Sequence, residues 1–308
     1  MSLSTMAVFK NIDIDKEQNL VAVDDVKLKK MQKALFEILI EFDDFCMKNG
    51  IKYSLAGGSA LGLVRHGGFI PWDDDVDLII PRADYEKFVR KFKNGLADRY
   101  WLHAPKITKD YGLGFARLRK KGTICRARED AVDNMECGIF LELIIIENTY
   151  DFLPARYFHG FLSYLFGFTL SCRNFYKKGD FYLELVKNDK KAARIFQFKK
   201  VAGRVLSFAS VDKWTEIWDS VNSMCKRTDT KYVTVPVGRK HFFKETYLRS
   251  DVCEVVRKPF IFDGKTHDFY LMKGTDAYLK ALYGDYMKIP SVSEREKHVL
   301  LELDFGEE

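Results

Sequence analysis

Asp73, Asp74, Asp75 and Asp77 put four carboxylates into five positions, directly before the apolar run Leu78-Ile79-Ile80. Like charges this close repel, so a sequence selected for folding alone would avoid the arrangement. Along an extended segment, positions two apart point to the same side. Asp75 and Asp77 therefore aim at one point, while Val76 and Leu78 turn to the core. Two hard oxygen ligands at one point are what Mg2+ or Mn2+ requires, with phosphate oxygens completing the shell. The plain alternative is a solvated acidic turn. Gly57-Gly58-Ser59 upstream favours the site. Its glycines let a ligand approach the backbone, Ser59 is the expected cap of a following helix, and a helix N-terminus attracts phosphate.

Two metals and an acceptor proton need more than two acids, so a third carboxylate ligand is expected from a neighbouring strand. Glu142 is the candidate, the sole acid inside the apolar run Ile139 to Ile146. Glu147 is second choice and is expected to be a surface acid. Arg65 and His66 lie between the two motifs and could hold a diphosphate, unless Arg65 pairs with an aspartate instead. Arg117, Arg119, Lys120 and Lys121 make a basic strip that could do the same, or a solvated face.

The elements that must position these residues follow from periodicity. Apolar residues at three- and four-residue steps predict a helix over 24–48, stopped by Asn49-Gly50. A short strand over 51–55 leads into the glycines. A helix from Ser59 to Arg65, a loop over 66–72, a strand over 75–80 and a helix over 84–92 follow. Further strands are expected at 114–118, 139–146, 232–237 and 258–262, with a helix over 275–282. Helices and short strands alternating in this way predict an α/β or α+β fold with a mixed sheet. Residues 1–150 read as a catalytic core, 151–225 as a helical insertion and 226–308 as a part completing the site. The aromatic stretch 152–172 is expected to be a core helix pair, with membrane contact as the open alternative.

The 308 residues carry 50 Lys and Arg against 44 Asp and Glu, a net charge of +6. That suits a phosphorylated partner, and without a dense basic patch it excludes nucleic acid. Six cysteines without a C-x-x-C pair exclude a zinc finger and fit reduced, cytoplasmic thiols. The polar first twenty residues show no leader, and no apolar run is long enough to span a bilayer.

The run GGSALGLVRHGGFIPWDDDVDLIIPRADYEKF, Gly57 to Phe88, resembles the signature of the LicD family, phosphotransferases related to fukutin-type enzymes. The likeness continues through RLRKKGTICR (117–126), GIFLELIIIE (138–147) and YLKALYGDYMKIP (278–290), then Arg295 and His298. The family's pattern has aspartate where this chain has Glu142. The resemblance implies an α+β nucleotidyltransferase-like mixed sheet with flanking helices. It implies transfer of a phospho-alcohol, often phosphocholine, from a CDP carrier to a cell-surface glycan. Asp75 and Asp77 then hold the metal, and the segment at Asp285 and Tyr286 belongs to the site rim, facing the transferred alcohol. A lipid-linked acceptor would place the protein at the inner face of the membrane. Two other readings stay open. One is transfer of a nucleoside monophosphate to a small molecule or sugar phosphate. The other is a non-catalytic binding protein, against which the acids Asp75, Asp77 and Glu142 argue.

Overall fold

A computed structural model describes residues 21, 23–127, 130, 134–185, 190–237, 246–295 and 300–306. The reading that no leader precedes the chain falls on residues 1–20, and His298 on 296–299, both outside the described residues.

Helix α1 (Asp25–Asn49) starts where the Asp24 side chain accepts from the Lys27 N–H at 2.8 Å. It ends on Gly50 at φ 58°, with the Ile51 N–H returning to the Cys46 carbonyl at 2.9 Å, a Schellman-type stop. That bond occupies Ile51, so strand β1 is only Ser54–Leu55 rather than the five residues expected. Helix α2 is Gly57–His66, β2 is Asp77–Pro81 and α3 is Arg82–Phe92. Then come β3 (Tyr100–His103), β4 (Ala116–Lys120), β5 (Ile124–Ala127) and β6 (Phe140–Asn148). Three helices follow, α4 (Leu153–Leu185), α5 (Lys190–Val205) and α6 (Val211–Asn222), with a 3-10 turn Leu206–Phe208 after α5. The chain closes with β7 (Tyr232–Thr234), β8 (Tyr247–Leu248), α7 (Arg249–Val252), β9 (Val255–Phe262), β10 (Lys265–Met272), α8 (Thr275–Tyr283) and β11 (Leu300–Asp304).

The fold is α+β. The main sheet runs β3-β4-β6-β2-β1-β10-β9, and β7 extends it from β6 with β8 beside it. It is mixed: β2–β6 and β1–β10 are parallel, and the other pairs are antiparallel. β11 pairs with β5 in a small second sheet. Strands from after residue 226 thus lie in the same sheet as those from before 150. The largest core cluster packs α1 and α3 on this sheet, with Phe42 stacking edge-on against Tyr53 at 5.0 Å and near Phe88 at 5.4 Å. Phe175 with Phe196, and Leu170 with Trp214 and Trp218, form separate small clusters among α4, α5 and α6.

The stretch 152–172 differs from its expectation. It is not a helix pair but the first part of one 33-residue helix. Pro154 sits in its first turn, where a missing N–H costs nothing. Several of its aromatic residues are exposed rather than core.

Candidate active site

Helix α2 begins two residues earlier than expected. Its cap is Ala56, with no side chain closing it. Ser59 therefore is not the cap: it is buried inside the first turn, and its Oγ accepts the Asp77 N–H at 3.0 Å. Together with the Ala56 N–H donating to the Asp77 carbonyl at 2.9 Å, this pins Asp77 to the start of α2. β2 accordingly starts at Asp77, and Asp75 lies on the segment leading into it.

The two glycines make room for acids. A Cβ on Gly57, which has φ +49°, would stand 2.7 Å from Asp77 Oδ2, and one on Gly58 would stand 2.6 Å from Asp73 Oδ2. Carboxylates Asp73 and Asp77 thus flank the open helix N-terminus, whose partial positive charge offsets them. Alternation brings in Asp75. Burial raises the pKa of Tyr283, and the charges of Tyr278, Asp77, Asp73 and Asp75 raise it further. Tyr283 keeps 47% of its surface exposed, so it is the hydroxyl end that lies crowded by the acids. Burial raises the pKa of Cys125, and the charge of Asp74 raises it further.

Glu142 lies directly opposite Asp77 in the parallel β2–β6 ladder. Arg117 lies opposite Glu142 and His103 opposite Arg117. Paired residues share a face, so four strands present one row: Asp77, Glu142, Arg117, His103. Arg117 Nε and Nη2 donate to Glu142 Oε1 at 3.1 and 2.6 Å. Phe140 lies under the Arg117 guanidinium at 4.1 Å. His103 Nε2 lies 2.8 Å from Glu136, and burial lowers the pKa of its ring.

The basic strip is divided by the pleat. Arg117 and Arg119 are buried on one face, Arg119 donating to Asp130 at 2.7 Å. Lys120 turns to Glu37 on α1, and Lys121 to the Ala97 carbonyl. Glu147 is not a surface acid: it is buried on the opposite face from Glu142, held by Arg82, which also binds Asp219 at 2.8 Å. An enclosed cavity of about 10 Å3 lies beside this network, not at the acidic run, with room for roughly one water.

Arg65 does not pair with an aspartate. It donates to His66 Nε2 at 3.0 Å and to the carbonyls of Tyr286 and Lys288 at 2.9 and 3.3 Å. Burial lowers the pKa of Arg65, and burial together with the Arg65 charge lowers that of His66. The C-terminal segment is thereby tied over α2, and Arg295 stacks on Trp72 at 3.9 Å from the other side of the acidic run. Gly284 has the expected positive φ, 67°, but ψ −119° lies outside the left-handed helical region. Asp285 is exposed, and Tyr286 turns its hydroxyl to Asp276 at 2.9 Å. The tyrosines that reach the site are others: Tyr283 beside the acids and Tyr278, whose hydroxyl accepts from the Gly57 N–H at 3.2 Å. In the sequence Asp73 is legible as part of the acidic run and both tyrosines as part of the 278–290 segment, but none of the three shows a role there.

Among the described residues, one trio of His, Cys, Asp or Glu brings all its ligand atoms within 4.8 Å of one another: Asp43, Asp44 and His267. It is a poor cation cage. Asp43 already accepts from Tyr53 at 2.7 Å, from two Arg257 nitrogens at 2.5 and 2.8 Å, and lies 2.9 Å from His267 Nε2. A metal there would have to displace a buried, fully bonded ion pair. Asp75, Asp77 and Glu142 are not drawn together as tightly, yet they offer the hard oxygen donors that Mg2+ or Mn2+ takes, next to a helix end that suits its phosphate.

Sheet, glycine-led helix and acidic strand edge together define a protein of the nucleotidyltransferase-like α+β class. Within it, the description "LicD/FKTN/FKRP, nucleotidyltransferase domain" matches residues 50–136, a span that takes in α2 and the acids and ends before Glu142. The lipopolysaccharide cholinephosphotransferase LicD of Haemophilus influenzae is 24% identical over 286 residues, covering 89% of this chain and 97% of that protein. The ribitol 5-phosphate transferases FKRP of Homo sapiens and Mus musculus are 66% identical over 35 residues, 11% of this chain and 7% of theirs. Residues 50–136 thus match the LicD family model, and the similarity to LicD extends over most of the chain.

Proposed function

We propose that this chain is a metal-dependent phosphotransferase that moves a phospho-alcohol, phosphocholine or a polyol phosphate, from a CDP carrier to a hydroxyl of a cell-surface glycan. The observation that carries the reading is the placement of Asp73 and Asp77 against the Gly57-Gly58 helix start, with Glu142 next to Asp77 in register. Relatives named for choline phosphate and ribitol phosphate transfer support the class of cargo.

Asp75 and Asp77 would hold Mg2+ or Mn2+, which would supply positive charge against the donor diphosphate. The N-terminal N–H groups of α2 orient that diphosphate. Glu142 accepts the proton of the attacking hydroxyl, and Arg117 aims its carboxylate through two hydrogen bonds to Oε1. Arg65 acts on the site indirectly, by fixing the segment that carries Tyr283, Asp285 and Tyr286. Exposed Asp285 at this rim is free in position to meet the polar end of the alcohol.

Binding to the native state stabilises it, so the test is thermal protection by CDP-choline, CDP-ribitol, CDP-glycerol and CTP with Mg2+. Protection by one CDP-alcohol above CTP is expected, and its loss in Asp77→Ala. Protection by CTP alone would favour nucleotidyl transfer instead.

A further inference from the structure

We propose that the exposed face of α4 and α5 is a docking surface for an anionic phospholipid bilayer, a property separate from the chemistry assigned above. In its C-terminal half, α4 packs against antiparallel α5. Gly203 of α5 sits so close to Cys172 that an added Cβ would meet its carbonyl oxygen at 2.2 Å, and Phe175 meets Phe196 at 4.7 Å. Helical spacing carries this same side of α4 back through Leu165, Phe161 and Phe158. There α5 has ended and nothing described covers it: Phe158 is 60% exposed and Phe161 56%. Tyr157 and Tyr164 extend the exposed patch, and Phe208, 78% exposed, stands at the end of α5. The opposite side of α4 is occupied by α6, through His159 to the Val221 carbonyl at 2.9 Å and Ser163 to Asn222.

On α5 the residues packed on α4 are Ala192, Phe196 and Gly203. The far side carries Arg194, Phe198, Val201 and Val205, all exposed at steps of four, three and four. This stripe faces the same direction as the bare half of α4, one helix layer further out. Exposed Lys190, Lys191 and Arg204 accompany it.

Charge selects the occupant. Residues 153–178 contain four Lys or Arg and no acid, and residues 190–208 contain six and no acid. Of these, Lys190, Lys191, Arg194 and Arg204 are exposed on α5, whereas Lys199 is buried against Ser171 and Lys177 pairs with Asp110. Aromatic residues beside exposed basic ones are the chemistry of a helix lying in a lipid headgroup layer. No described helix is long and apolar enough to cross a membrane, so the contact lies on the bilayer. A second copy placed face to face across a two-fold axis would oppose basic to basic, which disfavours self-association here.

The experiment is flotation of the full chain with vesicles of phosphatidylcholine, with and without phosphatidylglycerol. Phe158→Ser with Phe161→Ser removes apolar contact, and Lys190→Glu with Arg194→Glu reverses charge. All four positions are exposed, so unchanged melting curves are expected and certify the fold. The wild type should float with the anionic vesicles and much less with the neutral ones or in high salt. Each double variant should bind about tenfold more weakly. Absence of flotation with anionic vesicles, or binding by both variants as tight as that of the wild type, overturns the proposal. So does a dimer in sedimentation velocity that the serine variant dissolves while vesicles bind neither form.

Discussion

Gly57 and Asp77 meet at a close approach in the site, and both are legible in the sequence because glycine pair and acidic run are local patterns. A methyl group on Gly57 would crowd Asp77 Oδ2 at 2.7 Å on a backbone at φ +49°. Gly57→Ala should therefore cost about 1 kcal/mol of stability and weaken metal affinity, read by melting and by Mn2+ titration. Asp75→Ala or Asp77→Ala should abolish turnover yet leave melting unchanged or raised, since each removes a charge from a repelling set. Near wild-type turnover of either at saturating Mg2+ would remove these residues from the metal site. Glu142→Gln should keep donor binding and lose rate, because the amide leaves a hydrogen-bonding group but no proton acceptor. The placing of Tyr278 and Tyr283 was not legible. Their roles arise only when α8 docks over α2 across more than two hundred residues of chain.

At the scale of elements, Arg65 joins α2 to the C-terminal segment through two backbone carbonyls. Arg65→Ala should cost roughly 1–3 kcal/mol, the range for charged hydrogen bonds. It should also speed amide exchange over residues 284–288, and unchanged exchange there would show that the segment is held by other contacts. Periodicity disclosed α1, α3 and the centres of β2, β4, β6, β7 and β9. It missed β3, β5, β8 and β11, and also β10, whose exposed Lys265, Thr266 and Asp268 mask the apolar alternation. A signal was nonetheless present. Asp263-Gly264, at φ 50° and 74°, is a two-residue turn of the type that joins twisted hairpins, and it links β9 to β10 in unbroken register. The length of α4 was hidden because Gly160 and Gly167 look like breakers. Gly167 is instead a packing site, where an added Cβ would meet Trp218 at 3.0 Å.

Across the whole molecule, stability should depend on pH through buried histidines. Burial lowers the pKa of His103 and His159. His159 Nε2 faces the Val221 carbonyl and Nδ1 faces Thr149, partners that suit a neutral ring. Below the ordinary histidine pKa near 6.5 the unfolded chain binds more protons than the folded one. Stability should therefore be full above about pH 6.5 and fall as pH drops beneath it. Melting at pH 7.5 and 5.5 reads this, and His159→Asn should flatten the difference. The chemistry itself is decided by what leaves the donor. The central test is product analysis with CDP-choline or CDP-ribitol, a glycan acceptor and Mg2+, for wild type and Asp77→Ala. CMP released in step with phospho-alcohol on the glycan, and neither from the variant, is the predicted result. Pyrophosphate released from CTP with no CMP from either CDP-alcohol would contradict it.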